Sequence, residues 1–179
     1  MAEWHADAID GALFVPFGNN FATYASYAID PERDTQEIVV LAADAEQAAV
    51  MRDKLSWTGV DNFGGFVTDL APFEREPIEI LTAEELDEAE DTAVLDVRTA
   101  SEYEAGHIDE ALQIHAGRLR WKLDELPEGV RIVAHCQTGG RSAVAASILR
   151  RHGVANVAEL QNSYEGWLAY RRPQDAAPA

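Results

Sequence analysis

An α/β fold, with a parallel central sheet flanked by helices, is the class that the sequence predicts. Short apolar runs rich in β-branched residues occupy 93–97 and 131–135, and such runs indicate buried strands of a parallel sheet. Apolar residues at helical spacing follow in 142–152, where Val144 and Ile148 are predicted to face the core. Strands that alternate with helices are typical of βαβ units, so parallel pairing is expected.

Composition limits the class of protein. With 179 residues, of which 47% are apolar, the chain can form one or two globular domains. The formal net charge of −18, from 32 acidic and 14 basic residues, would repel nucleic acid and anionic membranes, so neither is expected as a partner. One cysteine excludes an internal disulfide and a zinc ribbon, and no motif indicates a metal or a cofactor. Residues 1–5 lack the features of a signal sequence and no apolar run is long enough to span a membrane, which predicts a cytoplasmic location.

The front of the chain contains a partial copy of its later part. A shift of 94 positions places Ile38 on Ile132 and Leu55 on Leu149, which predicts a duplicated strand, loop, helix and strand. The first copy lacks any counterpart of 78–103, a segment that supplies a helix and a central strand to the second copy. The predicted order is an incomplete, non-catalytic domain (1–70), a linker (71–77), a complete domain (78–170) and a flexible tail (171–179).

Local signals predict the elements of the second domain. Thr82 and Glu85 have the spacing of a capping box, which begins a helix that should reach about residue 89. Leu119 and Leu123 have helical spacing, and Pro127 ends that segment. The remaining elements are strand 93–97, a helical turn at 101–106, a short strand within 108–114, strand 131–135, helix 142–152, strand 156–160 and a helix around Trp167.

The segment 136–142, Cys-Gln-Thr-Gly-Gly-Arg-Ser, joins a predicted strand to a predicted helix. If it curls around the sulfur of Cys136, its backbone N–H groups and the helix N-terminus point at that atom, and Arg141 adds a positive charge. Such a field favours the thiolate, which is the nucleophilic form. Gly139 and Gly140 suit a tight loop because a Cβ would hinder it. A lone cysteine is usually a small buried apolar residue, but this context favours catalysis.

The motif Cys136-x-x-Gly139-x-Arg141 resembles the active-site loop of rhodaneses, which are thiosulfate and persulfide sulfurtransferases. Asp96-Val97-Arg98, then Glu102 and Gly106-His107-Ile108, is similar to the segment ahead of that loop, and Trp167 matches a closing tryptophan. Two departures occur: Asn162-Ser163 replaces a usual glycine pair, and His115 stands where proline is common.

The resemblance implies a rhodanese-like fold in which Cys136 is the nucleophile and Asp96 braces the loop through hydrogen bonds. Cys136 would take the outer sulfur of thiosulfate or of a low-molecular-weight persulfide, while Arg141 and Arg118 hold this small anionic donor. Because the chain has no second cysteine, the acceptor must be external: cyanide, sulfite, glutathione or a protein thiol. Residues expected to bind the substrate or the loop are Gln137, Thr138, Gly139, Gly140, Arg141, Ser142, Arg118, Asp96 and Arg98.

A cluster of basic residues is predicted around this loop. Ten of the 14 basic residues follow position 97, and a basic entrance on an acidic protein would suit an anionic donor. Its expected members are Arg98, Arg118, Arg120, Lys122 and Arg141. Each of these except Arg141 is about as well explained as an ordinary surface side chain.

Two other functions stay open from the sequence. The spacing Cys-x4-Arg is one residue shorter than the Cys-x5-Arg of cysteine-dependent phosphatases and arsenate reductases, so a phosphatase is the less favoured alternative. A non-catalytic interaction module is the other, and the first copy supports it because Ala42 is opposite Cys136 and Gln47 is opposite Arg141.

The order of the two copies suggests a partner. A degenerate copy before an active one is similar to the C-terminal part of fusion proteins in which a metallo-β-lactamase-fold persulfide dioxygenase precedes two rhodanese domains, and residues 18–24 resemble part of that degenerate module. This implies an upstream persulfide dioxygenase as partner. A parallel sheet without its centre exposes apolar edges, so the alternative is a second copy of this chain, a homodimer that covers them.

Overall fold

The structure, a computed structural model, describes residues 2–172. It contains seven α-helices within those residues: α1 Ala2–Asp7, α2 Phe21–Ala28, α3 Ala45–Ser56, α4 Ala83–Asp87, α5 Ala100–Ala105, α6 Gly140–Arg151 and α7 Ser163–Arg171. The strands are β1 Ile38–Leu41, β2 Phe63–Val67, β3 Glu79–Leu81, β4 Thr92–Asp96, β5 Leu112–Gln113, β6 Arg131–His135 and β7 Val157–Leu160. Two 3₁₀ helices span Ala116–Trp121 and Leu123–Glu125. The tail predicted over 171–179 lies outside the described residues from position 173 onward.

Five strands form one sheet in the order β3-β7-β6-β4-β5, and every pairing in it is parallel. Alternate residues of its strands face opposite layers: Ile132 packs with α6, whereas Val133 packs with α4 and α7. The predicted α/β class, a parallel sheet flanked by helices, is therefore confirmed. Because the strands run in one direction, the ends of β4, β6 and β7 meet at one edge of the sheet, where sites of open parallel sheets form.

A second, two-stranded parallel sheet pairs β1 with β2. The order strand, helix, strand of β1, α3 and β2 is the same as that of β6, α6 and β7. Each element of the first set begins about 94 residues before its counterpart in the second, which is the shift found in the sequence. Among the described residues β1 pairs with β2 alone, and its side chains Val39 and Leu41 are 55% and 49% exposed. Within the described residues β1 thus has one unpaired edge, and two apolar side chains on its outer face are half exposed.

The front of the chain and the five-stranded sheet share one hydrophobic core. Phe21 and Ala25 of α2 and Leu55 of α3 belong to the same buried cluster as Ile132 and Leu149. The helix α2 contacts α6 and the first 3₁₀ helix, and α3 contacts α2. The small sheet with its helices is thus packed onto the large sheet through continuous apolar contacts.

The linker is hydrogen-bonded to the residues that follow α1. Ile9 and Arg75 form an antiparallel bridge. The Glu76 N–H donates to the Ala8 carbonyl at 2.8 Å, and the Ile78 N–H donates to the His5 carbonyl at 2.9 Å. These contacts bring His5 to the edge of the large sheet.

Local predictions in the second half agree with the structure, with one exception. The Thr82–Glu85 capping box is present, and a second capping box joins Thr99 and Glu102 at the start of α5. The helix predicted from Leu119 onward is replaced by the two 3₁₀ helices, because Lys122 has a φ of −130° and interrupts the helical backbone. In the described part of the chain, no helix has both the length and the apolar character needed to cross a membrane.

Candidate functional site

Cys136 follows the last residue of β6, and its loop leads directly into α6. Gly139 caps that helix with a φ of 110°, a left-handed conformation that favours glycine. In this conformation the Gly139 N–H points at the sulfur, with 3.1 Å between N and Sγ. Cys136 is 1% exposed, so the sulfur lies at the buried base of the loop, near the N-terminus of α6, where negative charge is favoured.

Two serine hydroxyls lie on the buried side of the sulfur. Ser142 Oγ and Ser163 Oγ are each 3.9 Å from Cys136 Sγ, and 3.5 Å from each other. The backbone N–H of Cys136 donates to Ser163 Oγ at 3.3 Å. The sulfur therefore has a backbone amide and the Ser163 hydroxyl as possible donors, whereas Ser142 Oγ accepts a hydrogen bond from the thiol.

Arg141 is held by Glu102, the residue that also caps α5. Its two terminal nitrogens each donate to a Glu102 oxygen at 2.7 Å. These hydrogen bonds raise the pKa of Arg141 and lower the pKa of Glu102. Attraction to Cys136 also raises the pKa of Arg141, although burial opposes the shift. Glu102 thus fixes the position of the Arg141 guanidinium.

Asp96 and Arg98 form a buried ion pair behind the loop. The side chains are 0% and 2% exposed, and Arg98 Nη2 is 2.6 Å from Asp96 Oδ2. Arg98 also donates to Gln137 Oε1 at 3.2 Å and to the Gly106 carbonyl at 2.7 Å, and its guanidinium lies 4.0 Å from the Tyr164 ring centre. The resemblance implies that Asp96 braces the loop through hydrogen bonds. Asp96 accepts hydrogen bonds from Arg98, and Arg98 in turn donates to Gln137 of the loop.

The remaining loop residues occupy its outer face. Gln137 Nε2 donates to Glu165 Oε1 at 3.3 Å, Thr138 is exposed, and the Tyr24 hydroxyl lies 3.6 Å from where a Cβ on Gly140 would sit. Ser142 Oγ bonds the Gly139 carbonyl at 2.9 Å. The predicted loop residues therefore all surround Cys136, but only Gly139 contacts the sulfur through its amide.

The five basic residues predicted to form one entrance are not brought together. Arg98 is buried, Arg120 lies 3.7 Å from Asp30, and Lys122 lies 2.6 Å from Glu125. Arg118 is exposed, and its charge together with that of Arg141 helps to lower the pKa of His115. Arg98, Arg120 and Lys122 are therefore each held by an acidic residue, and Arg118 has an exposed side chain.

The structure adds site residues that the sequence did not indicate. Tyr24 and Tyr27 of α2 lie beside the loop, and the Tyr27 ring meets the His115 ring edge-on at 5.4 Å. Ser163 contacts Cys136 directly, and Glu159 of β7 accepts a hydrogen bond from Ser142 at 2.8 Å. Only Ser163 had a signal in the sequence, as one of the two residues that replace a glycine pair.

Asn162 and Ser163 both have left-handed backbone, with φ of 54° and 53°. Glycine suits that conformation, whereas a side chain there costs about 1–2 kcal/mol. The serine retains its hydroxyl beside Cys136 in spite of this strain. Backbone strain that persists at a site is a feature whose function can be tested.

We expect Ser163→Gly to be more stable than Ser163→Ala by about 1 kcal/mol, because both lose the hydroxyl and only alanine keeps the strain. Denaturant unfolding of the two variants measures the difference. The control is the same pair at Ser147, inside α6, where glycine should instead be about 1 kcal/mol less stable than alanine. If the alanine variant were the more stable one at position 163 as well as at position 147, the interpretation of strain at Ser163 would be contradicted.

Stability should fall on acidification because of two histidines. Burial lowers the pKa of His135 and of His115 below the ordinary 6.5, with the charges of Arg141 and Arg118 adding to the effect at His115. The folded state therefore binds these protons less readily than the unfolded state. The corresponding stability is fully present above about pH 6.5 and is lost as the pH falls through the folded pKa values.

Thermal unfolding between pH 7.5 and 5 tests this expectation. The melting temperature of the wild type should decrease over this range more than that of His135→Gln, in which no proton can be taken up at the buried position. The same slope in both proteins would refute the assignment to His135.

Comparisons with known proteins each match about half of the chain. A family model described as the rhodanese-like domain matches residues 81–170, half of the chain. A sulfurtransferase of Allochromatium vinosum is 29% identical over 91 residues, which cover 51% of this chain and 85% of that protein. The probable adenylyltransferase/sulfurtransferase MoeZ of Mycobacterium tuberculosis is 31% identical over 90 residues, 49% of this chain but 23% of MoeZ. A rhodanese-related protein from Thermoplasma volcanium aligns with a TM-score of 0.47 and 26% identity, over 53% of this chain and 95% of that one.

Proposed function

The chain belongs to the rhodanese-like domain family, with sulfur transfer as its general chemistry, and on this premise we propose that Cys136 carries the transferred sulfur as a persulfide. The donor is thiosulfate or a low-molecular-weight persulfide. The observation that carries the proposal is the contact of 3.1 Å between the Gly139 amide and Cys136 Sγ at the start of α6. This arrangement stabilises negative charge on sulfur both before and after transfer.

The reaction has two displacement steps. In the first, the Cys136 thiolate attacks the outer sulfur of the donor, an S–S bond forms, and the bond between the outer sulfur and the rest of the donor breaks. Sulfite leaves from thiosulfate, and a thiolate leaves from a persulfide. In the second step an external nucleophile takes the outer sulfur and Cys136 regains its thiolate. Arg141 and Arg118 supply positive charge for the anionic donor.

The buried position of the sulfur favours a small transferred group. Since Cys136 is almost fully enclosed, a single terminal sulfur atom fits the approach better than a tetrahedral phosphate. Arg141 donates one N–H from each terminal nitrogen to Glu102, which occupies one edge of the guanidinium. The enclosed sulfur and the short Cys-x4-Arg spacing favour sulfur transfer over phosphatase or arsenate reductase chemistry.

The intact mass of the protein tests the proposal. After incubation with thiosulfate, or with glutathione persulfide, the wild type should gain one sulfur atom, and cyanide should then restore the original mass and yield thiocyanate. No mass gain with either donor would favour the non-catalytic interaction module. The donor that loads faster identifies the preferred substrate class.

For the first 70 residues we retain the proposal of an incomplete, non-catalytic copy of the domain, followed by a linker to residue 77 and the catalytic domain at 78–170. The exposed edge of β1 supports a partner there, either a persulfide dioxygenase or a second copy of the chain. Light scattering separates a dimer from a monomer. A cytoplasmic location remains a prediction from the sequence.

A further inference from the structure

Glu159 is a buried carboxylate that the transfer reaction, as described, does not use. It is 3% exposed in the middle of the large sheet, between Ile80 of β3 and Ala134 of β6. A carboxylate at such a position is costly unless it is hydrogen-bonded or paired with a charge. Both of its oxygens have partners, and each partner comes from a different part of the fold.

One oxygen leads towards the sulfur. Glu159 Oε2 accepts a hydrogen bond from Ser142 Oγ at 2.8 Å, and Ser142 Oγ in turn is 3.9 Å from Cys136 Sγ, where the thiol is the donor. The three groups thus form a directed chain, from thiol to hydroxyl to carboxylate. Ser163 lies beside it, 3.5 Å from Ser142.

The other oxygen leads towards the front of the chain. Glu159 Oε1 is 2.9 Å from Nε2 of His5, whose side chain is 20% exposed. The imidazole can offer a proton to the carboxylate or receive one from it, and it is partly open to solvent. The incomplete first domain therefore supplies the outer end of a chain of hydrogen bonds that begins at the sulfur.

We propose that Ser142 and Glu159 form an internal acceptor for the proton of the Cys136 thiol. The S–H bond breaks and its proton goes to Ser142 Oγ, while the hydroxyl proton of Ser142 passes to Glu159 Oε2. The sulfur keeps the electron pair, and the products are a thiolate and a neutral carboxyl group, with no change in total charge. The proposal rests on the assigned role of Cys136 as the sulfur carrier.

This route makes the thiolate without releasing a proton to solvent. It would let Cys136 become nucleophilic at the buried base of the loop, where water has little access. The hydrogen-bond partners of Glu159 are His5 and Ser142, and its strand neighbours Ile80 and Ala134 are uncharged.

The rate of alkylation of Cys136 by iodoacetamide, measured from pH 5.5 to 9, tests the proposal. The wild type should react at a rate that changes little with pH, because its proton stays within the protein. Glu159→Gln should be about tenfold slower near pH 7 and should gain about tenfold per pH unit, until the difference from the wild type closes at high pH. Ser142→Ala should show the same slower, pH-dependent alkylation. If Glu159→Gln does not fold, as shown by the absence of a cooperative unfolding transition, the Ser142→Ala result tests the proposal instead.

The sign of the effect separates this role from a structural one. A carboxylate that only stays charged disfavours a nearby thiolate, so its neutralisation would make alkylation faster. An unchanged or faster rate in Glu159→Gln, or a loss that is the same at every pH, would overturn the proposal. Glu79→Gln on β3, an exposed carboxylate near Arg131, is the matched control and should react like the wild type.

Alkylation does not depend on sulfur transfer. A wild type that shows the flat pH dependence but gains no sulfur from thiosulfate or glutathione persulfide would overturn the proposed function and leave the proton acceptor intact. If the wild type gains sulfur but Glu159→Gln is alkylated at the wild-type rate, the proposed function stands and the proton acceptor is refuted.

Discussion

Replacing Cys136 by serine is expected to abolish the uptake of sulfur from every donor. The chain has no other cysteine, and a serine hydroxyl at this position forms neither the thiolate nor a stable bond to the transferred sulfur. The loss should be complete, because the amide of Gly139 and the hydroxyls of Ser142 and Ser163 contribute only through the sulfur that they surround.

The measurement is intact mass after thiosulfate and after glutathione persulfide, with Cys136→Ala as a second variant. Both replacements are of similar size to cysteine, so the melting temperature should stay close to that of the wild type and show that the loss is chemical. A sulfur atom gained by either variant would place the acceptor elsewhere and refute the assignment.

Removing the charge of Arg98 is expected to cause the largest loss of stability. In Arg98→Met the fully buried Asp96 carboxylate loses its partner, and breaking a buried ion pair in this way costs about 3–5 kcal/mol. The change also removes the contacts to Gln137 and to the Gly106 carbonyl. The loop should therefore lose its support, and sulfur transfer should slow in the fraction that remains folded.

Denaturant unfolding measures the effect, and two comparisons define its cause. Arg52→Met removes the exposed Arg52–Asp53 pair and should change stability by well under about 1 kcal/mol. The double variant Asp96→Asn with Arg98→Met should recover part of the loss, because the uncompensated charge is gone. A single Arg98 variant as stable as Arg52→Met would show that the buried pair does not support the fold.

The sequence predicts those parts of the site that depend on local geometry. Gly139 begins α6, and its backbone amide meets the sulfur of Cys136, three positions earlier. The capping box of Thr82 and Glu85 likewise begins α4. Both features involve residues close in sequence, which is why the sequence can predict them. The residue types in the loop and the order of strands then bring Asp96, Arg98 and Cys136 to one edge of the sheet.

Contacts between distant residues could not be predicted in this way. His5 and Glu159 are 154 positions apart, and they meet only because the linker is hydrogen-bonded to residues 5–9. The partner of Arg141 is Glu102. Of the other four basic residues, Arg98, Arg120 and Lys122 are each held by an acidic residue. The sequence gives the number of charged side chains but does not show which of them form ion pairs with each other.

The departure at Asn162-Ser163 illustrates the same limit. The sequence alone casts doubt only on the conformation of the turn at this point, because glycine is the residue best suited to left-handed backbone. In the structure the backbone conformation is kept and the added side chain reaches the sulfur. A substitution that looks like a local irregularity thus changes the immediate surroundings of Cys136.

The core shared by the front of the chain and the large sheet makes residues 78–170 unsuited to a separate existence. Without α2 and α3, one face of α6 and the first 3₁₀ helix would lose the apolar neighbours that now cover it, and His5 would no longer reach Glu159. The front of the chain therefore supplies part of the hydrophobic interior on which the rhodanese-like half is packed.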